Sequence, residues 1–234
     1  MKTLDSTRPL TVGTLISSNL MLQGANYSED CDWVELRLDH LHPEREAKSA
    51  LPIPEETPIL LTARGPEEGG ANSLLQSERE KLLDTYLKSA TAIDLEAAQL
   101  DQWSKWISQA REAHHFELIA SHHDFHQTPS LGTCEGIVER AFSAGADLVK
   151  FAFHIESLSD MQLGLDLLGI NFPGPIAVMG MGPLAPVSRL LYAQHGSCLN
   201  YGYLGDTEAA PGQWPAKLLK QGIAQLQLID PAHR

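Results

Sequence analysis

Eight short apolar or β-branched runs, helix-like segments alternating with them, and a length of 234 residues together predict a (β/α)8 barrel in a single domain. A chain of this length can bury a substantial core. The competing architecture is a doubly wound sheet, but neither GxGxxG nor GxxxxGK[ST] follows the first run. No internal repeat, low-complexity tract or linker divides the chain, so residues 1–234 read as one barrel domain.

The elements follow in order. LTVGTL (10–15), WVELRL (33–38) and PILLTA (58–63) read as the first three strands. The helical pattern LLQSEREKLLDTYLKSA leads to AIDLE (92–96), and LDQWSKWISQAREA leads to ELIAS (117–121). CEGIVERAFSAGA then precedes DLVKFAF (147–153), LSDMQLGLDLLG precedes PIAVMG (175–180), APVSRLLYAQHG precedes SCLNYGY (197–203), and WPAKLLKQGIAQLQ closes the series. Several of these helices end at glycine, the residue that most readily takes the left-handed conformation of a helix stop.

Barrel strands are buried on both faces, so charge within them needs a reason. In WVELRLDH, Glu35, Arg37 and Asp39 alternate with Val34, Leu36 and Leu38, which turns the charged set toward the barrel interior. An edge strand with one wet face is the competing reading. The pattern recurs: Arg64 ends PILLTAR, Glu68 follows in a glycine-rich loop, Asp94 and Glu96 share one face of AIDLE, and Lys150 sits within VKFAF. Unpaired buried charge is costly, and charged residues at the carboxyl ends of barrel strands usually build a site. On an ordinary strand Lys150 would snorkel to water. Inside a barrel, desolvation and neighbouring cations favour its neutral amine, a nucleophile toward ketones, so imine chemistry is expected.

IASHHDFHQTPS carries three histidines in five residues, His122, His123 and His126. Successive strand residues face opposite ways, so His122 and His123 cannot serve one metal. The Gln-Thr-Pro that follows reads as a turn, which removes the helical pairing of His122 with His126. One histidine at a strand end remains the simpler picture. After the seventh strand, Ser188 and Arg189 open a helix suited to holding an anion. After the eighth, GDTEAAPGQWP is long enough to fold over the barrel mouth, with Pro211 and Gly212 turning the chain beside Gln213.

The formal net charge of −13 disfavours nucleic acid and anionic membranes as partners, and means that an anionic substrate must be drawn by local cations. No signal-peptide core or apolar span of about 18 residues appears, so a cytoplasmic protein is expected. Cys31, Cys134 and Cys198, odd in number and far apart, fit buried thiols better than a disulfide framework or a zinc ligand set.

Taken together, ELRLD (35–39), TARGPEEGG (62–70), DLE (94–96), SHHDF (121–125), VKFA (149–152), MGMGPLAPVSR (179–189), GSCLNYG (196–202) and APGQ (210–213) resemble, in order and spacing, type I 3-dehydroquinate dehydratase. The resemblance spans nearly the whole chain. It implies a barrel without metal or organic cofactor, commonly a homodimer, that dehydrates 3-dehydroquinate to 3-dehydroshikimate in the shikimate pathway to aromatic amino acids. It further implies that Lys150 forms the imine, that His123 moves the protons and that Glu68 orients His123. Glu35, Arg37 and Arg64 would bind substrate hydroxyls, Arg189 and Gln213 its carboxylate, and His122 and His126 would have no chemical role. Ala209 stands where the family often has serine, and Asn200 where it often has threonine. The rival functions are an imine-forming aldolase on the same lysine, a metal-dependent hydrolase, which would call for an HxH pair absent from the first strand, and a barrel that binds small anions without turnover.

Overall fold

The computed structural model describes residues 8–16, 27–40, 57–210 and 212–227. Pro211 of the expected turn lies outside the described residues, as do residues 1–7 and 17–26 around the first strand. Eight parallel strands form the sheet: β1 (Leu10–Leu15), β2 (Trp33–Arg37), β3 (Ile59–Thr62), β4 (Ala92–Glu96), β5 (Glu117–Asp124), β6 (Leu148–His154), β7 (Ile176–Met181) and β8 (Leu199–Tyr203). The helices are α1 (Tyr27–Asp30), α2 (Gln76–Tyr86), α3 (Leu100–Ala113), α4 (Leu131–Ser143), α5 (Leu158–Leu168), α6 (Ala185–Gln194) and α7 (Ala216–Gln227). The fold is the expected (β/α)8 barrel. The strand expected at ELIAS runs further, however, through His122 and His123 to Asp124, because all three residues stay paired with β6.

Register explains how this sequence makes two cores. Val149, Phe151 and Phe153 of β6 face outward and pack with Leu36, Leu95, Trp103, Val138 and Tyr192 beneath the helices. Their alternates face inward, where Leu10, Val12, Trp33, Leu60, Ile119, Leu148 and Leu199 fill the barrel. Apolar burial on both sides of every strand supplies the driving force, and alternation decides which residues are left to face the mouth. The three thiols, Cys31, Cys134 and Cys198, are free and buried. Gly145 and Gly196, at φ +88° and +104°, follow α4 and α6 as the helix stops anticipated from sequence.

The sheet order runs β7-β6-β5-β4-β3-β2-β1-β8, and the remaining seam, between β7 and β8, carries no ladder. Ser197 closes it instead. Its hydroxyl accepts from Val178 N at 3.0 Å and lies 3.2 Å from the carbonyls of Val178 and Leu199, while Cys198 N donates to Ile176 O at 3.1 Å. A side-chain oxygen thus satisfies backbone groups that a parallel ladder would otherwise pair. Ser197→Ala should leave the buried Val178 N–H without a partner and lower unfolding free energy by about 1–3 kcal/mol, read from urea denaturation at an unchanged slope. Equal stability of the variant would show that the seam closes without the hydroxyl.

Candidate active site

Inward-facing residues near the strand carboxyl ends converge on one cavity lined by Glu35, Arg37, Arg64, Glu68, His123, Lys150, Arg189 and Gln213, with Thr14, Met179, Met181 and Tyr201. All eight residues to which the family resemblance gave a catalytic or binding role line it. Strand parity accounts for the four of them that lie on strands: Glu35 and Arg37 share one face of β2, His123 shares a face of β5 with Ser121, and Lys150 pairs with Ser121 across the β5–β6 ladder.

The floor is a buried ion network. Lys150 Nζ donates to Asp94 Oδ2 at 3.0 Å, and Arg64 Nη2 donates to Asp94 Oδ1 at 2.7 Å. Ser121 Oγ donates to the same Oδ1 at 2.6 Å and accepts from Arg64 Nη1 at 2.6 Å. Arg64 Nη1 also reaches Glu96 Oε1 at 3.1 Å, which accepts from Gly65 N at 2.8 Å. The second oxygen of Glu96 is held by Arg79, which enters from α2 and donates its Nε to Ala63 O at 2.6 Å. Burial alone would raise the Asp94 carboxyl, but the charges of Arg64 and Lys150 overcome it and hold the group down at about 2. Asp94 therefore stays an anion under the lysine.

Glu35 sits on the β1 and β3 side as a hydrogen-bonded anchor. Its two oxygens accept from Thr14 Oγ1 at 2.8 Å and Thr62 Oγ1 at 2.7 Å. Arg37 forks onto Asp39 through Nε at 2.9 Å and Nη2 at 2.7 Å, and Asp39 also accepts from the backbone of Arg64 and Ala71. Burial pushes the Asp39 carboxyl upward, yet the hydrogen bonds and charge of Arg37 win and keep it below the usual carboxylate range. Asp39 thereby ties the end of β2 to the loop after β3.

That loop delivers Glu68 to His123. Residues Pro66–Glu68 make one 3-10 turn, and Gly70 N returns to Gly65 O at 2.9 Å. A Cβ on Gly70 would stand 2.2 Å from Arg64 O, so the close return of the chain requires glycine there. Glu68 Oε2 accepts from His123 N at 2.9 Å and lies 2.8 Å from His123 Nδ1. With Nδ1 protonated toward the carboxylate, Nε2 keeps a free lone pair. Burial, then the charges of Arg64, Lys150 and Arg37, hold the imidazole well below its ordinary value. Burial pushes Glu68 up to about 7, with Arg64 opposing. His122 points the other way, its ring centroid 6.1 Å from that of Phe151, and His126 lies exposed in the bend beyond β5.

Across the mouth, Arg189 is 2% exposed. Its Nη1 donates to Tyr201 O at 2.8 Å and its Nη2 reaches Gly180 O at 3.5 Å, while Nε has no partner among the described residues. Burial pulls it down to about 10 against the pull of Glu208, so it remains a cation at neutral pH. Gln213 accepts from Ala209 N at 2.9 Å and holds its amide 3.5 Å from Thr14 Oγ1. Ser188 is not at the mouth: its hydroxyl accepts from Gly180 N and donates to Ala185 O, which locks α6 to β7.

Several residues escaped the sequence reading. Thr62 and Ser121 lie two positions before Arg64 and His123, a parity signal that was available. Arg79 lies on a helix rich in exposed charge, so nothing in its surroundings marks it as a core residue. Chemically, the cavity offers a buried amine beside an anion, a neutral imidazole with one open nitrogen, and a cation lacking a carboxylate partner among the described residues. This set suits proton transfer next to a carbonyl carbon of an acid.

Residues 9–230 match the model of the type I 3-dehydroquinase family. The chain is 31% identical over 232 residues to 3-dehydroquinate dehydratase of Lactiplantibacillus plantarum, covering 94% of this chain and 91% of that protein. It is 28% identical over 230 residues to the 3-dehydroquinate dehydratase of Methanosarcina barkeri, covering 92% and 94%. In fold it superposes on the crystal structure of 3-dehydroquinate dehydratase from Geobacillus kaustophilus with a TM-score of 0.81 at 24% identity, over 96% of this chain and 93% of that one. With its barrel and its cavity described and its sequence matched from residue 9 to residue 230, the chain belongs to the type I 3-dehydroquinase family.

Proposed function

We propose that the chain converts 3-dehydroquinate to 3-dehydroshikimate and water through an imine on Lys150. The observation that carries this is the opening of two pairs, Lys150 with Asp94 at 3.0 Å and His123 with Glu68 at 2.8 Å, onto one cavity. The lysine nitrogen adds to the ketone carbon, and the ketone oxygen leaves as water to give a protonated imine. His123 Nε2 removes a proton from the neighbouring carbon, whose bonding electrons move toward the imine nitrogen and form an enamine. The enamine then expels the hydroxyl on the next carbon, which takes the proton from the imidazolium and departs as water. Addition of one water to the conjugated imine releases the product and restores the amine, so the net loss is one water.

The remaining residues bind and orient. Arg189 supplies local positive charge to meet the substrate carboxylate in a chain of net charge −13, and Gln213 adds an amide donor. Glu35, Arg37 and Arg64 face the ring hydroxyls. Arg64 also shapes the lysine's surroundings through Asp94, a role not anticipated from sequence.

Borohydride added with 3-dehydroquinate should attach the reduced ligand to the peptide containing Lys150, seen as a mass increase that Lys150→Ala abolishes. Full labelling of that variant would reject the assignment. His123→Ala should lower turnover, followed by the ultraviolet absorbance of the conjugated enone, by roughly 10² to 10⁴-fold. His122→Ala should stay near the parent, and a reversal of the two effects would reject the strand-parity argument.

The pH dependence has a definite sign. The imidazole is held below its ordinary value, so it is already neutral near pH 7, and Glu68, raised to about 7, is the group that titrates there. As pH falls through about 7, Glu68 takes a proton and donates to Nδ1, which moves the ring proton to Nε2 and removes the base. An acid limb in kcat/KM near pH 7 is expected, and Glu68→Gln, whose amide oxygen accepts without titrating, should displace it. An unmoved limb would place the titration on another group.

A further inference from the structure

The mechanism leaves Tyr201 without a task, yet it touches both halves of the cavity. It lies on β8 with Val12 of β1 as its register partner, is 2% exposed, and faces the barrel interior. Lys150 Nζ stands over its ring, 4.3 Å from the centroid. The backbone carbonyl of the same residue accepts from Arg189 Nη1 at 2.8 Å. Its hydroxyl has no hydrogen-bond partner among the described residues. The ring, rather than the hydroxyl, is therefore the part of the side chain that contacts the reacting nitrogen.

We propose that Tyr201 is a further catalytic residue of this enzyme, its ring face stabilising the protonated imine formed on Lys150. The proposal rests on the imine reading given above. An aromatic face attracts a cation within about 6 Å of its centroid, and more strongly where water is excluded. Conversion of the ketone into a protonated imine places lasting positive charge on Nζ and the carbon it joins, under this face. Asp94 stabilises the same charge, but a carboxylate can also accept the proton on which the imine's power as an electron sink depends. The ring cannot accept it. Asp94 is moreover shared: Oδ1 takes Arg64 and Ser121, which leaves only Oδ2 for the lysine. The aromatic face thus holds the cation from a second side without competing for its proton.

The test is a graded one at position 201. Tyr201→Phe serves as the reference, and monofluoro-, difluoro- and pentafluorophenylalanine, introduced by nonsense suppression, then withdraw electron density from the face at nearly constant shape. Turnover of 3-dehydroquinate should fall stepwise with fluorination, by about 10-fold across the series. The Michaelis constant should change less, because Arg189 is held by the backbone carbonyl of residue 201 and not by its ring. Circular dichroism keeps any misfolded member out of the comparison. A flat series overturns the proposal, and so does a loss that occurs wholly at Tyr201→Phe, which would assign the effect to the hydroxyl. Borohydride trapping of the parent separates the two levels. Absence of an adduct on the parent rejects the imine reading and this proposal with it, whereas a trapped parent with a flat series rejects the ring's role alone.

Discussion

Asp94 is fully buried within the barrel, and much of the site's arrangement follows from the need to satisfy it. A lone carboxylate at that depth would cost several kcal/mol, and its compensation comes from three strands at once: Arg64 after β3, Ser121 on β5 and Lys150 on β6. Arg64 in turn needs Glu96, and Glu96 needs Arg79 from α2. Charge therefore alternates along a chain of contacts running from the helical layer to the lysine. Arg64, Asp94, Glu96 and Arg79 are each paired on more than one side, so removing one of them would weaken the satisfaction of a partner in low dielectric. The network holds Nζ at Asp94, and on the proposed imine reading this positions the amine to meet a ketone carbon.

The same alternation governs what could be read in advance. Barrel strands repeat every two residues, so the inward positions of WVELRL, AIDLE and DLVKFAF were visible as soon as the barrel was recognised. Lys150, Glu35 and Arg37 emerged from that logic, and the choice of His123 over His122 came with the family resemblance and agrees with strand parity. What parity cannot provide is the identity of partners across the barrel. That Lys150 bonds Asp94, or that Arg64 is engaged by two carboxylates, depends on stagger between segments up to 56 residues apart in sequence. Arg79 was invisible for another reason: its helix carries charge on several positions, and only tertiary packing selects one of them for the interior. Ser188 misled because a helix start after a strand resembles an anion site, whereas here the hydroxyl is consumed in fastening α6.

The loop after β3 and the segment after β8 both reach the cavity, with different means of support. Glu68 is carried on a tight glycine-bearing turn tied to β2 through Asp39, so the carboxylate and the imidazole it orients belong to the rigid frame. Gln213 is braced by Ala209 of its own segment and, among the described residues, its side chain reaches the barrel through Thr14, at 3.5 Å. Thr14 also donates to Glu35, which makes it the hydroxyl through which the last segment and the first two strands communicate.

Among the described residues, buried Arg189 has two backbone carbonyls as its hydrogen-bond partners and none at Nε. A cation is thus withdrawn from water and answered by backbone dipoles, with the charge of Glu208 adding to them. On the proposed reading, an acidic substrate would bring both a further countercharge and an acceptor for Nε. A neutral ketone of the same outline would displace water from the mouth and leave the cation worse off than before. On that reading, preference for an acidic substrate would follow from how sparingly the protein's own groups answer Arg189.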